Sequence, residues 1–257
     1  MNEKDFLIIM YGRNESINLE NAIFMSQLKR NFVYIDSYST DDTLKILKQK
    51  KIKFILHEFT NWPTLRKVGY QYAKENNYPW ILMLDADEII NEKTLKYLDT
   101  LDKRNIDSYS LSFKMIFNGK FMNYASHRPR IRFYSVERTY PKGDSVIDFI
   151  YSKRNKNLSK KHFILNRDKT DFINLVKKQI QKVENSSIEI FNPIQEHSNI
   201  KKFFFRILHK NLLLKSFAIF FYNYVLKLAF LDGKAGLYYC FNYAFIFHFL
   251  MSSKDSN

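Results

Sequence analysis

The chain has 257 residues, 46% of them hydrophobic, enough to bury one large core or a core with an appendage. Its single cysteine, Cys240, excludes an internal disulfide and fits a reducing compartment, and the apolar run Phe6–Met10 is too short for a signal peptide, so a cytoplasmic protein is expected. The net charge is +15, yet residues 1–100 balance at 14 basic and 14 acidic side chains, leaving 27 against 12 beyond them. The second part therefore suits an anionic partner: nucleic acid, acidic lipid or a phosphorylated glycolipid.

In chain order, Phe6–Met10 reads as a first strand, followed by Tyr11-Gly12-Arg13-Asn14-Glu15 and a helix capped by Ser16 or Asn18 and running to about Gln27. Phe32–Ile35 is a second strand, ending in Asp36-Ser37-Tyr38-Ser39-Thr40-Asp41-Asp42, and a short helix follows to about Lys50. Ile52–Leu56 is a third strand, and Pro63 sits in the first turn of a helix running to about Asn76. The fourth strand is Trp80-Ile81-Leu82-Met83-Leu84, which stops in Asp85-Ala86-Asp87-Glu88. Strands alternating with helices of this length predict an α/β fold with a parallel sheet, whose ligands bind at the C-terminal strand tips.

Crowded acids at such a tip repel one another unless a cation neutralises them, and oxygen ligands suit Mg²⁺ or Mn²⁺. In a straight strand Asp85 and Asp87 share a face; if the chain turns there, one can meet a metal and the other a sugar. The same acids also suit the first turn of a following helix. None of the six glycines belongs to a dinucleotide-binding fingerprint or a Walker loop. If the sheet binds a nucleoside diphosphate, a cation on Asp87, helped by Arg66, is the substitute for backbone amides.

After a charged helix over about 91–102, Tyr109–Phe117 suggests another strand, and Asn118-Gly119 is a hairpin turn signal. In the following segment, His127 to Tyr134, Arg130 and Arg132 lie on one strand face, and Arg128 precedes them; guanidiniums so spaced suit phosphate or carboxylate. Between Thr170 and Ile190 the periodicity is that of an amphipathic helix with a basic face, and from Phe203 to Met251 the chain is rich in Phe, Tyr, Leu and Ile with scattered lysines. No uncharged stretch there is both long and clean enough for a span. Two or three basic-flanked amphipathic helices lying on an anionic membrane are expected, or else a helical core against a dimer partner. A turn is expected at Leu231-Asp232-Gly233.

Three ordered motifs, Arg13-Asn14-Glu15, Ile35-Asp36-Ser37-Tyr38-Ser39-Thr40-Asp41 and Leu84-Asp85-Ala86-Asp87-Glu88, resemble those of family 2 glycosyltransferases, and most closely the bacterial branch that glucosylates the lipopolysaccharide inner core or makes related surface glycans. The resemblance implies a GT-A fold, metal dependence and inverting transfer of a hexose from a nucleotide sugar, UDP-linked, to a lipopolysaccharide-core or other membrane-anchored glycan. By that likeness Arg13, Asn14, Glu15, Asp36 and Ser37 cradle base and ribose, Asp36 accepting from a base N–H. Arg66 lies near the diphosphate, Asp85 meets the ribose or sugar, Asp87 binds the metal, and His162 resembles a histidine near metal or diphosphate. Arg128, Arg130 and Arg132 fall on the acceptor side. An inverting transfer needs a base for the acceptor hydroxyl. Asp148 resembles a family glutamate, although Ile147 replaces the histidine before it, and Asp144 is the second choice. Tyr38 stands where the family commonly has glycine, and Lys67 where asparagine often follows the arginine.

The expected division is 1–165 as the GT-A domain, with 1–100 the donor half and 101–165 the acceptor half, and 166–257 as a membrane-associating helical region. The enzyme would then be peripheral on the inner face of the cytoplasmic membrane, with a homodimer open. The competing readings are a catalytically inactive transferase-like module docking on membrane or other glycan enzymes, and a nucleic-acid binder. No base-reading motif accompanies the positive charge, which speaks against nucleic acid.

Overall fold

A computed structural model describes residues 6–28, 30–117, 120–124, 129–143, 148–167 and 211–247, with isolated positions 173, 176, 177 and 180. The predicted 118–119 turn and nearly all of the helix expected over 170–190 lie outside the described residues. Contacts divide the chain into two units, 1–116 with 127–169, and 117–126 with 170–257.

In the first unit, strands β1 (Leu7–Gly12), β2 (Phe32–Asp36), β3 (Phe54–Leu56) and β4 (Trp80–Asp85) form the parallel half of a sheet. The short β5 (Glu88–Ile90), the long β6 (Ser108–Phe117), β8 (Arg130–Ser135) and β12 (Phe163–Asn166) extend it in the order β3-β2-β1-β4-β8-β6-β12-β5. β8 runs antiparallel to both β4 and β6, while β12 is parallel to β6 and antiparallel to β5. This is the GT-A arrangement expected from the sequence.

Alternation along the strands fills both sheet faces, which is why they read as continuous apolar runs. Ile8, Met10, Tyr34, Leu82 and Leu84 face a core shared with α1 (Leu19–Ser26), α2 (Thr43–Gln49) and α4 (Glu92–Asp99). Ile9, Tyr11, Val33, Ile35 and Ile81 face α3 (Trp62–Glu75) and Ile150. Asn61 caps α3 by accepting from Thr64 N at 2.8 Å, with Pro63 in the first turn, and Asn91 caps α4 on Thr94 N in the same way. α4 ends at Asp99 rather than near 102, because the Asp102 carboxylate accepts from Arg104 N and Asn105 N and turns the chain. A separate hairpin of β9 (Thr139–Gly143) and β10 (Asp148–Ser152) lies on α3.

Gly69 explains how closely α3 approaches the sheet. A Cβ there would stand 2.1 Å from Tyr11 Oη and 3.0 Å from the Cδ1 atoms of Ile9 and Ile35. Those side chains are buried and have nowhere to go, so Gly69→Ala is expected to cost about 1–3 kcal/mol despite the better helix propensity of alanine. Urea unfolding would read this as a lower midpoint at unchanged slope; no loss would mean the helix can lift off its strand.

In the second unit, α5 (Leu212–Phe221), capped by Asn211, runs on into a wide turn over Tyr222–Leu226. The chain bends at Leu228, which has φ 61°, and a 3₁₀ turn Ala229–Asp232 leads into α6 (Gly233–Phe241) and a wide turn Asn242–Phe247. The turn expected at 231–233 is there: Gly233 takes φ 63°, and the Asp232 carboxylate accepts from the backbone N–H of Asn123 and Tyr124, just after the short β7 (Lys120–Met122).

Candidate active site

The parallel register sets Gly12 beside Asp36 and Tyr11 beside Asp85, so the C-terminal tips of β2, β1 and β4 lie side by side. The three motifs leave the sheet at one edge, on strands about 4.8 Å apart.

The first two loops are stitched to each other. Asn14, at φ 56°, donates its backbone N–H to Ser39 Oγ at 2.8 Å, and its side-chain oxygen accepts from Thr40 N at 2.7 Å. Glu15 N donates to Thr43 Oγ1, and Ser16 N to the Asp41 carboxylate. Asp36 is fully buried, and both its oxygens are engaged by Ser39, one by the backbone N–H at 2.7 Å and the other by the hydroxyl at 2.6 Å. Its carboxylate thus shapes the loop from within. Arg13, Ser37, Tyr38, Glu58 and Phe59 line a cavity of about 340 Å³ over these loops. A larger cavity of about 530 Å³, lined by Lys67, Tyr70, Gln71, Tyr140, Pro141 and Lys142, holds no carboxylate.

Tyr38 keeps a half-exposed ring in that cavity with φ 54°, a conformation that costs a non-glycine residue about 1–2 kcal/mol. The strain accounts for glycine being common at this place in the family that the motifs resemble. Tyr38→Gly is expected to stabilise the fold by about 1 kcal/mol, read by thermal unfolding, while weakening nucleotide binding through loss of the ring. An unchanged affinity would remove Tyr38 from the site.

At the tip of β4 the chain turns instead of continuing straight. Ala86 N–H donates to Tyr11 O at 2.9 Å, and Ala86 O accepts from Asn21 Nδ2 at 2.9 Å, so this two-residue turn is held at both of Ala86's backbone groups. Asp85 lies between two buried guanidiniums, with Arg66 Nη2 at 2.5 Å from one oxygen and Arg132 Nη2 at 3.0 Å from the other. Arg66 is itself fixed over the rings of Tyr11 and Trp62. Arg132 Nη2 also donates to Glu88 Oε1 at 2.7 Å, and Glu88 Oε2 accepts from Asp85 N. Asp87 turns outward, partly exposed, with Oδ2 accepting from Asn166 Nδ2 at 2.9 Å.

Burial acts to raise the Asp85 carboxyl, but the Arg66 and Arg132 charges outweigh it and hold the group well below the ordinary carboxylate range. Glu88 moves the other way: burial raises it, Arg132 opposes, and the charges of Asp85 and Asp87 add to the rise. Oxygens of Asp85, Asp87 and Glu88 come within 4.8 Å of one another. Three hard oxygen donors within reach of one another are the ligand type that suits a hard divalent cation.

Among the other sequence-predicted residues, His162 is not part of this acidic cluster; its ring stacks on Tyr97, centroids 3.7 Å apart. Arg130 is exposed at the start of β8, whereas Arg132, expected on the same face toward an acceptor, is 3% exposed and points into the acids. Asp148 opens β10, paired with Gly143. Arg128, Asp144 and the Asp148 side chain lie outside the described residues. Glu88 and Asn166 were missed as site residues. Glu88 carried a signal as the third acid of its run, and Asn166 carried none.

Solved structures similar to this chain include a cytidylyltransferase from Leptospira borgpetersenii, at 17% identity over 52% of this chain and 61% of that one, with a TM-score of 0.37. A glucosyl-3-phosphoglycerate synthase from Mycobacterium tuberculosis matches at 12% identity over 55% of this chain and 61% of that one, also with a TM-score of 0.37. The chain thus spans about three fifths of either structure's length. Likenesses this distant decide nothing about substrate. The family model described as "Glycosyl transferase family 2" matches residues 8–163, well over half of the sequence, from β1 to the start of β12. The chain belongs to glycosyl transferase family 2.

Proposed function

We propose that this protein transfers a hexose, with inversion, from a nucleoside diphosphate sugar, UDP-linked, to a membrane-anchored glycan such as a lipopolysaccharide core. The observation that carries the reading is the locked Asp85-Ala86-Asp87-Glu88 turn, aligned by strand register with the cavity at the tips of β1 and β2. A base and ribose in that cavity would lie against Arg13, Ser37 and Tyr38, and the diphosphate would then reach the tip of β4, which lies beside β1.

Each residue has a role there. Asp36 and Asn14 hold the loops that form the nucleoside cradle. Arg66 and Arg132 fix Asp85 as a carboxylate, suited to accept from sugar or ribose hydroxyls. Asp87, with Asp85 and Glu88 behind it, would hold Mg²⁺ or Mn²⁺, which neutralises the leaving diphosphate when bound. Asp148, or else Asp144, takes the acceptor hydroxyl's proton as its oxygen attacks the anomeric carbon, and the nucleoside diphosphate departs with the bonding electrons. Arg130, on the surface, is suited to acidic groups of the acceptor.

Thermal unfolding against UDP, GDP, CMP and dTDP, each with Mn²⁺, Mg²⁺ or chelator, tests the donor site. A nucleotide at about a hundred times its dissociation constant adds roughly 2.7 kcal/mol, a rise of about 5–10 °C for a chain of this size. The expected result is a rise with UDP that chelator removes. No rise with any nucleotide, on folded protein, would sink the reading.

A further inference from the structure

The second unit is packed inside out. Among the described residues, the side chains buried where its helical segments meet are small, at Ser216, Ala229, Ala235, Gly236, Cys240 and Ala244, with Asn242 the one larger exception. Gly236 comes so close that a Cβ there would stand 2.0 Å from Ala229 O. Many large apolar side chains point away, with Leu213, Phe221, Leu226 and Leu231 between 54% and 63% exposed, while Phe217, Phe220 and Phe241 meet the ring of Phe245. In water the arrangement is normally reversed, because large side chains gain most from burial. Small residues inside and large ones outside is how helices associate in lipid, where acyl chains already solvate leucine and phenylalanine and close backbone contact is what remains to be gained.

Charge and shape specify the lipid surface further. Between 211 and 247 the charged residues are Lys215, Lys227, Lys234 and Asp232, and Asp232 is occupied by two backbone amides of 123–124. The excess is basic and suits anionic headgroups. No single described helix is long and apolar enough to cross a membrane; the segments Leu212–Leu226 and Ala229–Ile246 pass only as a pair, bent by 74°. Elbow-first insertion would carry Lys227, Asp232 and Lys234 into hydrocarbon, where charge is costly. A pair lying along the interface keeps all of them among headgroups, with Tyr222 and Tyr238 at the level that aromatic residues with a polar tip prefer.

We infer that the bent helical pair 212–246 seats the protein in one leaflet of an anionic bilayer, lying in the interface rather than spanning it. The inference goes beyond the transferase reading and stands without it, since its tests read no sugar transfer.

The full chain would be floated with vesicles of phosphatidylcholine alone or with 30 mol% phosphatidylglycerol. Expected is flotation with the anionic vesicles, at least tenfold weaker with phosphatidylcholine or in high salt. The variant Leu213→Ser/Phe221→Ser/Leu231→Ser should lose flotation at least tenfold while its thermal unfolding in solution is unchanged, because those side chains are more than half exposed. Fluorescence of Leu231→Trp should be quenched by lipids brominated near the headgroup and not by those brominated at the chain ends; the reverse would overturn interfacial seating. Failure to float with anionic vesicles would overturn the inference. A dimer in light scattering that the triple serine variant converts to monomer, without flotation of the parent, would assign the face to a second copy instead. If UDP still stabilised that non-floating protein, the transferase reading would survive alone.

Discussion

Asp87→Asn is expected to lower sugar transfer by about 10³-fold or more, the scale on which removing a group that stabilises a leaving diphosphate acts. The metal-dependent part of nucleotide binding should go with it, leaving a thermal response to UDP that chelator no longer changes. The substitution suits the test because it is nearly isosteric and keeps the contact to Asn166. Asp87 Oδ2 accepts from Asn166 Nδ2, an amide oxygen at 87 accepts as well, and the backbone bond from Arg167 N to Asp87 O does not involve the side chain. Stability should stay within about 1 kcal/mol of the parent, so lost activity could not be blamed on unfolding. Initial rates over a Mn²⁺ titration, beside a urea melt, measure both. Retained activity would mean that the acid cluster serves the fold and that the cation, if any, sits elsewhere.

The residues that were legible in the sequence are those whose role is local. Strands β1, β2 and β4 announced themselves as apolar runs because both sheet faces are covered, and each motif followed a run directly, which placed all three at one edge before any register was known. Pro63 marked the start of α3 by its own chemistry, and the cap that Asn61 provides just before it is seen in the structure. For Asp36 the sequence marked the place, at the end of β2, and not the local partner, since Ser39 engages both carboxylate oxygens. Arg132 was not legible. Alternation puts it on one face with Arg130, but which position is deep depends on β8 being inserted between β4 and β6, a pairing with partners tens of residues away. Glu88 is drawn inward for the same kind of reason, since β5 pairs with β12 from the far end of the domain. In the second unit, the apolar content was visible, but the segregation of small side chains inward needed the bend at Leu228.

Arg132→Met should be the most destabilising single change near the site, at about 3–5 kcal/mol, or a fall of roughly 10 °C in melting temperature. One Nη2 atom serves both Asp85 and Glu88, and the guanidinium carbon lies 5.3 Å above the Phe113 ring, so removing it strands buried carboxylates that methionine cannot satisfy. Asp85 keeps Arg66; Glu88, which is 3% exposed, loses its guanidinium partner. Two comparisons separate this from a generic loss of a strand residue. Arg130→Met, on the exposed end of the same strand, should cost no more than about 0.5 kcal/mol. Combining Glu88→Gln with Arg132→Met, beside the two single variants, would measure the coupling of the two side chains as non-additivity. Equal melting temperatures for the two arginine variants would show that Arg132 is hydrated in solution and that the Asp85 carboxylate is not held by a buried pair of guanidiniums. In that case the ordered turn at the tip of β4 would have to come from Ala86's two backbone hydrogen bonds alone, and Asn21→Ala would become the more damaging change.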